Sequence, residues 1–202
     1  MPAGAPPCRR LSSRQTDSRS RRRAGLKDAP LRTVAYTQWV KTPLLAIGSA
    51  PLARGALIAA VTDRADATGS DGAVATFLGL VRNHNVGRRV HHLEYEAYEP
   101  LALRTFERID AEVQVRWPDV RLALHHRTGT IEVGGASVAI AAASPHRGHA
   151  FSACRYAIER VKQIAPVWKR EFFDGGDVWI EGATADPDDE KALAEAERIA
   201  CV

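Results

Sequence analysis

The chain has 202 residues, 45% of them hydrophobic, which is enough apolar material for one sizeable core and too little length for two. Its net charge of +4 is unevenly placed: residues 1–32 carry eight Arg and one Lys against two Asp, a net of +7 that leaves −3 on the remainder, so no general polyanion-binding surface is implied on the folded part. Cys8, Cys154 and Cys201 are odd in number and widely spaced, which fits neither a disulfide framework nor a zinc knuckle. They point to a reducing, cytoplasmic setting, and no stretch approaches the roughly 18–20 apolar residues of a membrane span.

Residues 1–32 hold too little apolar surface to fold and read as a disordered basic tail. The scarcity of acidic residues among Arg and Ser also suits an organelle transit peptide, but no amphipathic repeat accompanies it. Translation starting further in would need a non-Met codon, because Met1 is the chain's one methionine. Residues 33–43 read as a linker, 44–185 as the domain, and 186–202 as a charged helical tail.

Within the domain, Leu52, Ala56, Ile58 and Ala59 have helical spacing up to Thr62, and 63–71 break the pattern. Gly72 to Arg82 is a β-rich apolar run ending at a charge, read as a buried strand that delivers Arg82 to its end, and Asn83 to Gly87 is a turn. Val90 to Tyr98 alternates as a half-buried strand. Apolar residues at 102, 106, 109, 113 and 117 mark a helix that Pro118 ends. Strands follow at 120–126 and 136–143, separated by glycine turns. A second helix is predicted from Pro145 to about Ile164, with Phe151, Cys154, Ile158, Val161 and Ala165 on its buried face. Val167–Phe173 and Val178–Ile180 read as strands across Asp174-Gly-Gly-Asp177. Mixed strands with two main packing helices, and no βαβ rhythm, give an α+β class.

The chemistry gathers at the ends of the second helix. Ser144-Pro145 suits an N-cap and a first helical position, which places His146 and Arg147 beside free N–H groups and the positive end of the dipole, a setting for an anion. Arg147 paired with a local carboxylate is the plainer alternative. Lys162 falls at the edge of the apolar stripe with its stem on apolar surface. Pro166 turns the chain, after which Lys169 and Arg170 point to opposite faces of an extended segment. These are either solvated cations or a crowded set in which a lysine titrates low and acts as base or nucleophile. The histidine pairs 91–92, 125–126 and 146/149 lack the further ligands of a metal site, and no phosphate loop, dinucleotide fingerprint or nucleophile elbow is present.

Taken together, Thr76-Phe-Leu-Gly-Leu-Val-Arg-Asn-His-Asn85, Glu94-Tyr-Glu-Ala-Tyr98, His126-Arg-Thr-Gly129, Ser144-Pro-His-Arg147 and Val161-Lys-Gln-Ile-Ala-Pro-Val-Trp-Lys-Arg-Glu171 resemble the large, catalytic subunits of molybdopterin synthase, from about Leu44 to Ala183. The resemblance implies an α/β-hammerhead type fold and a homodimer in which each copy binds one small ubiquitin-like sulfur-carrier subunit, giving a heterotetramer. It also implies sulfur transfer from the carrier's C-terminal thiocarboxylate to cyclic pyranopterin monophosphate, with no metal or other cofactor. On that resemblance Lys162 is expected to contact the thiocarboxylate and assist acyl and proton transfer, and Lys169 to assist at the pterin. His146 and Arg147 would hold the phosphate, Arg82 and Arg170 complete the charge, and Phe77 shape the wall. The stretch Trp179 to Ala183 lacks the Arg that relatives often carry there. No fused carrier is legible in the N-terminal extension, so the carrier is expected to be a separate chain.

Overall fold

The computed structural model describes residues 42–63, 69–180, 182–183 and 185–201, all within a unit that spans Val40–Val202. The expected tail, all but the last two residues of the expected linker, and Glu181, Thr184 and Val202 lie outside the described residues. In chain order the elements are β1 (Leu45–Gly48), α1 (Arg54–Thr62), β2 (Ala73–Leu80), β3 (His84–Asn85), β4 (Arg88–Ala97), α2 (Glu99–Arg116), β5 (Arg121–Arg127), β6 (Gly129–Glu132), β7 (Ala136–Ser144), α3 (Arg147–Ile164), β8 (Val167–Phe173), β9 (Gly176–Ile180) and α4 (Glu190–Ala200). This is a mixed α+β architecture with two sheets.

The first sheet has the order β1-β5-β7-β2. Its strands run antiparallel except β1, which lies parallel to β5. From Ser137 to Ser144, β7 is buried throughout, because both faces of the sheet are covered, which is why it reads as a continuous apolar run. Leu57 and Val61 of α1 close one face over Ala123, Ala139, Ala141 and Ala143. On the other face, α2 and α3 pack with Phe106, Ile109, Val113, Leu122, Leu124, Ile140, Ala153 and Ala157. The expected phase of α1 is corrected here: Leu57 and Val61 are its buried residues, whereas Ile58 is 40% exposed.

In the second sheet β4 lies centrally, paired with β8 along one side and with β3 and then β6 along the other, while β9 completes the edge beyond β8. The β8–β9 hairpin turns at Asp174-Gly175, where Gly175 takes φ +97°.

Two expectations for α3 change. Its first helical residue is Arg147, with His146 as the N-cap in extended geometry, and Ser144 is the last residue of β7. Phe151 is 66% exposed, because the helix buries Ala150, Ala153 and Ala157 on one side and Tyr156 and Arg160 on the other. The segment set apart in the sequence as a tail forms α4, which buries Ala196 and Ala200 in the same core as α3.

The hairpin between β3 and β4 turns at Val86-Gly87, both at positive φ (45° and 74°). Gly accepts this conformation freely, whereas a β-branched valine is strained by it. Val86 is 85% exposed, so little packing opposes relief. Val86→Asn is expected to gain about 1 kcal/mol, seen as a rise of about 3 °C in a thermal melt; an unchanged or lower Tm would remove the assignment of strain.

Candidate active site

Three cations meet where the first sheet, α3 and the second sheet come together. Lys162 lies in the last turn of α3, exposed, at the end of the helix dipole that favours a positive charge. Ala165 caps the helix in extended geometry (φ −73°, ψ 126°), as a residue before proline must, and β8 then carries Lys169 back. Arg82 follows β2, its neighbour Val81 pinned by backbone bonds from Val81 N to Gly135 O and from Gly134 N to Val81 O.

Lys169 is the half-buried member of the three. Burial holds its ammonium below the ordinary lysine range; Glu171 works against that shift, while Lys162 and Arg82 add to it. Lys162 and Arg82 therefore both act on Lys169. In the β4/β8 register Lys169 stands opposite Tyr95 and Glu171 opposite Leu93, so Lys169, Glu171 and Tyr95 share a face of the second sheet.

Three residues to which the sequence assigned no role surround this group. Glu171 is 3% exposed and accepts a hydrogen bond from Asn85 Nδ2 at 2.7 Å, with Arg88 Nη2 at 3.3 Å from its other oxygen. His126 is 6% exposed; burial brings its imidazole down to about 4, with a further push from Lys169 and opposition from its bond to the Arg127 carbonyl. It is therefore neutral at physiological pH. Tyr95 packs edge-on against His126, ring centroids 5.4 Å apart, and burial raises its phenol, with a hydrogen bond to Ser137 opposing. All three lie in the stretches that carry the family resemblance, but their partners are on strands distant in sequence, so spacing alone did not reveal the cluster.

The other expected site residues fall elsewhere. Arg170 lies on the opposite face of β8 from Lys169, cross-strand from Glu94 and Trp179. It donates to Asp177 at 2.7 Å, over the rings of Phe172 and Trp179. Its expected place in the cation group is therefore corrected: strand alternation turns it away. His146 and Arg147 are exposed at the start of α3, and Arg147 stands about 22 Å along the helix axis from Lys162, so within one chain they lie apart from the cation group. Phe77 lines a groove of about 640 Å³ between β2 and α3, together with Thr76, Phe151, Cys154, Ile158 and Cys201. Burial pushes the Cys154 thiol up to about 12, which leaves it an apolar wall and not a nucleophile.

Among the described residues, no helix is long and apolar enough to cross a membrane, and no three His, Cys, Asp or Glu side chains gather as a metal site.

A family model described as MoaE protein matches residues 48–164. The chain is 45% identical over 130 residues to the molybdopterin synthase catalytic subunit of Bacillus subtilis, covering 63% of this chain and 83% of that one. It is 46% identical over 137 residues to that of a Nostoc species, covering 67% and 80%. Among solved structures, the fold matches molybdopterin synthase from Staphylococcus aureus with a TM-score of 0.63 at 35% identity, covering 67% of this chain and 95% of that one. It matches the molybdopterin biosynthesis MoaE protein of Burkholderia ambifaria with a TM-score of 0.61 at 30% identity, covering 76% and 97%.

The coupling among the cations is open to direct test. Arg82→Gln removes a repulsive neighbour and is expected to move the Lys169 titration up. Glu171→Gln removes the opposing carboxylate and should move it further down. Lysine side-chain NMR across the alkaline range reads both; shifts of the same sign would break the assignment.

Proposed function

The chain belongs to the MoaE family of molybdopterin synthase catalytic subunits, sulfur-transferring enzymes of molybdenum cofactor biosynthesis, and from that premise we propose how its own residues perform the transfer. The carrier is a small ubiquitin-like chain whose C-terminal thiocarboxylate enters beside Lys162, and the acceptor is cyclic pyranopterin monophosphate. The observation that carries this reading is the cation group itself: Lys162 and Arg82 both repel the half-buried Lys169, and an anionic thiocarboxylate and a cyclic phosphate supply the charge that relieves the repulsion. Lys162, flexible and exposed, contacts the thiocarboxylate. Lys169, titrating below an ordinary lysine, gives up and takes back a proton at the pterin more readily. The thiocarboxylate brings the sulfur, and neither a metal nor an organic cofactor takes part. The reading places the protein in the cytoplasm, in keeping with its free Cys154 and Cys201.

In this reading the phosphate is held by His146 and Arg147, and the separation along α3 favours their coming from a second copy. Support for a homodimer comes from β2, the edge strand of its sheet. Ala73 at its start pairs with Ser144, two residues before His146, and its far end leads to Arg82. A two-fold antiparallel pairing of two β2 edges therefore sets Arg82 of one copy beside the partner subunit's His146 and the partner subunit's Arg147. Two carriers on such a dimer make a heterotetramer.

Reconstitution tests both parts, with thiocarboxylated carrier and cyclic pyranopterin monophosphate as substrates and product scored as its fluorescent oxidised derivative. Lys162→Ala is expected to lose activity by about 100-fold, while Arg170→Ala stays within about twofold. Mixing Arg147→Ala chains with Lys162→Ala chains should recover about a quarter of wild-type activity, since half the dimers then carry one intact site. No recovery from a mixture shown to exchange subunits would place the whole site within one chain.

A further inference from the structure

The start of α3 is held by a residue with no role so far. Asp119 sits between α2 and β5, its side chain 30% exposed. Its Oδ2 accepts the Ser144 hydroxyl at 2.9 Å, and the Nδ1 of His149 lies 2.9 and 3.0 Å from its two oxygens. Ser144 is wholly buried, and its Oγ in turn accepts the backbone N–H of His146 at 3.1 Å. The ring of His149 meets the ring of His146 edge-on, centroids 5.5 Å apart and planes at 85°. One carboxylate thus reaches His146 twice, at its backbone through Ser144 and at its imidazole through His149.

Both routes depend on Asp119 being an acceptor. The Ser144 hydroxyl has a single proton; spending it on Asp119 leaves a lone pair for the His146 N–H. Likewise, a proton on His149 Nδ1 pointed at Asp119 fixes the tilt of that ring. His146 needs such support, since it is exposed and, as an N-cap in extended geometry, makes no side-chain cap bond of its own. The carboxyl is ionised throughout the working range: burial works to raise it, but the bonds from His149, Ser144 and its own backbone N–H hold it below the usual carboxylate range.

We infer that Asp119 is a positioning residue for the phosphate subsite, orienting His146 through Ser144 and His149 without touching the substrate. This rests on the reading in which His146 and Arg147 hold the cyclic phosphate.

The test is steady-state kinetics of the reconstituted enzyme with cyclic pyranopterin monophosphate as the varied substrate, on His146→Ala, Asp119→Asn, His149→Ala and the double variant Asp119→Asn/His146→Ala. Asp119→Asn is expected to raise KM about tenfold while kcat and the affinity for the carrier stay within about twofold. His149→Ala, at a half-exposed position that leaves the Ser144 bond intact, should show a smaller rise of the same kind. The double variant should be no worse than His146→Ala alone, because the two changes act on one element. A normal KM in His146→Ala would overturn the phosphate reading itself. A raised KM in His146→Ala with a normal one in Asp119→Asn, or additive losses in the double variant, would overturn the inference alone. Loss of kcat together with thermal stability in Asp119→Asn and His149→Ala would make the cluster merely structural and overturn it as well.

Discussion

The helix that carries Lys162 and begins beside His146, α3, hangs on one buried ion pair. Arg160 has no exposure to solvent. Its guanidinium donates Nε to Glu112 Oε2 at 2.8 Å and Nη2 to Oε1 at 2.9 Å, while Nη1 reaches Gln163 and Nη2 also reaches the Pro187 carbonyl, both at 3.0 Å. Glu112 takes a further bond from the Tyr156 hydroxyl at 2.9 Å. Burial works to raise the Glu112 carboxyl, and the bonds from Arg160, Tyr156 and Arg108 outweigh it. Such a pair adds little over a well-packed apolar substitute, but stranding one partner costs about 3–5 kcal/mol. Its effect here is positional. It ties the helix whose last turn holds Lys162 to α2 and to the segment leading into α4, so the lysine's backbone is fixed while its side chain lies exposed.

A second constraint is electrostatic. Lys169 has been taken partly out of water next to two other cations, an arrangement that is unfavourable by itself. Glu171 offers relief, yet that carboxylate is already engaged by Asn85 and Arg88. The cluster therefore has cationic excess, and the cheapest way to remove it is to bind an anion. Neutral His126 behind Lys169 adds no charge of its own, which keeps the excess modest enough for the sheet to tolerate. The charge balance of this face of the sheet is thus set by a few groups.

How much of this was legible in the sequence depended on where each contact partner lay. The α2 stripe is plain, because Ala102, Phe106, Ile109 and Val113 all face one core. So is the β8–β9 hairpin, whose partners are neighbours along the chain. In α1, alanines occupy many positions and leave the phase undetermined by composition; Leu57 and Val61 win because α1 lies over the small residues of β5 and β7. The four-residue β1 and β6 are too short for any period to declare itself, and β1 is ordered by parallel pairing with a strand nearly eighty residues on. For the site, strand alternation already placed Lys169 and Arg170 on opposite faces, so assigning both to one cavity overrode a rule that the structure obeys. Tyr95, His126 and Glu171 needed the sheet register to come together, and no local pattern encodes that.

The distance between the two cationic ends of α3 then acquires a meaning. β2 and α3 run side by side from a common start, where Gly72 N bonds to the Ser144 carbonyl and the approach is so close that a Cβ on Gly72 would lie 2.6 Å from the Pro145 carbonyl oxygen. At about 3.3 Å per residue, eight residues of β2 span about 26 Å, close to the length of α3. Strand and helix are therefore matched rulers, and a two-fold pairing along the strand aligns the end of one helix with the start of the other. In the proposed dimer, a turn added to α3 alone would carry Lys162 past the partner subunit's His146 by about 5 Å. In the proposed dimer the helix length thus matches the span of the strand that would pair the two copies, as its apolar face matches the sheet beneath it.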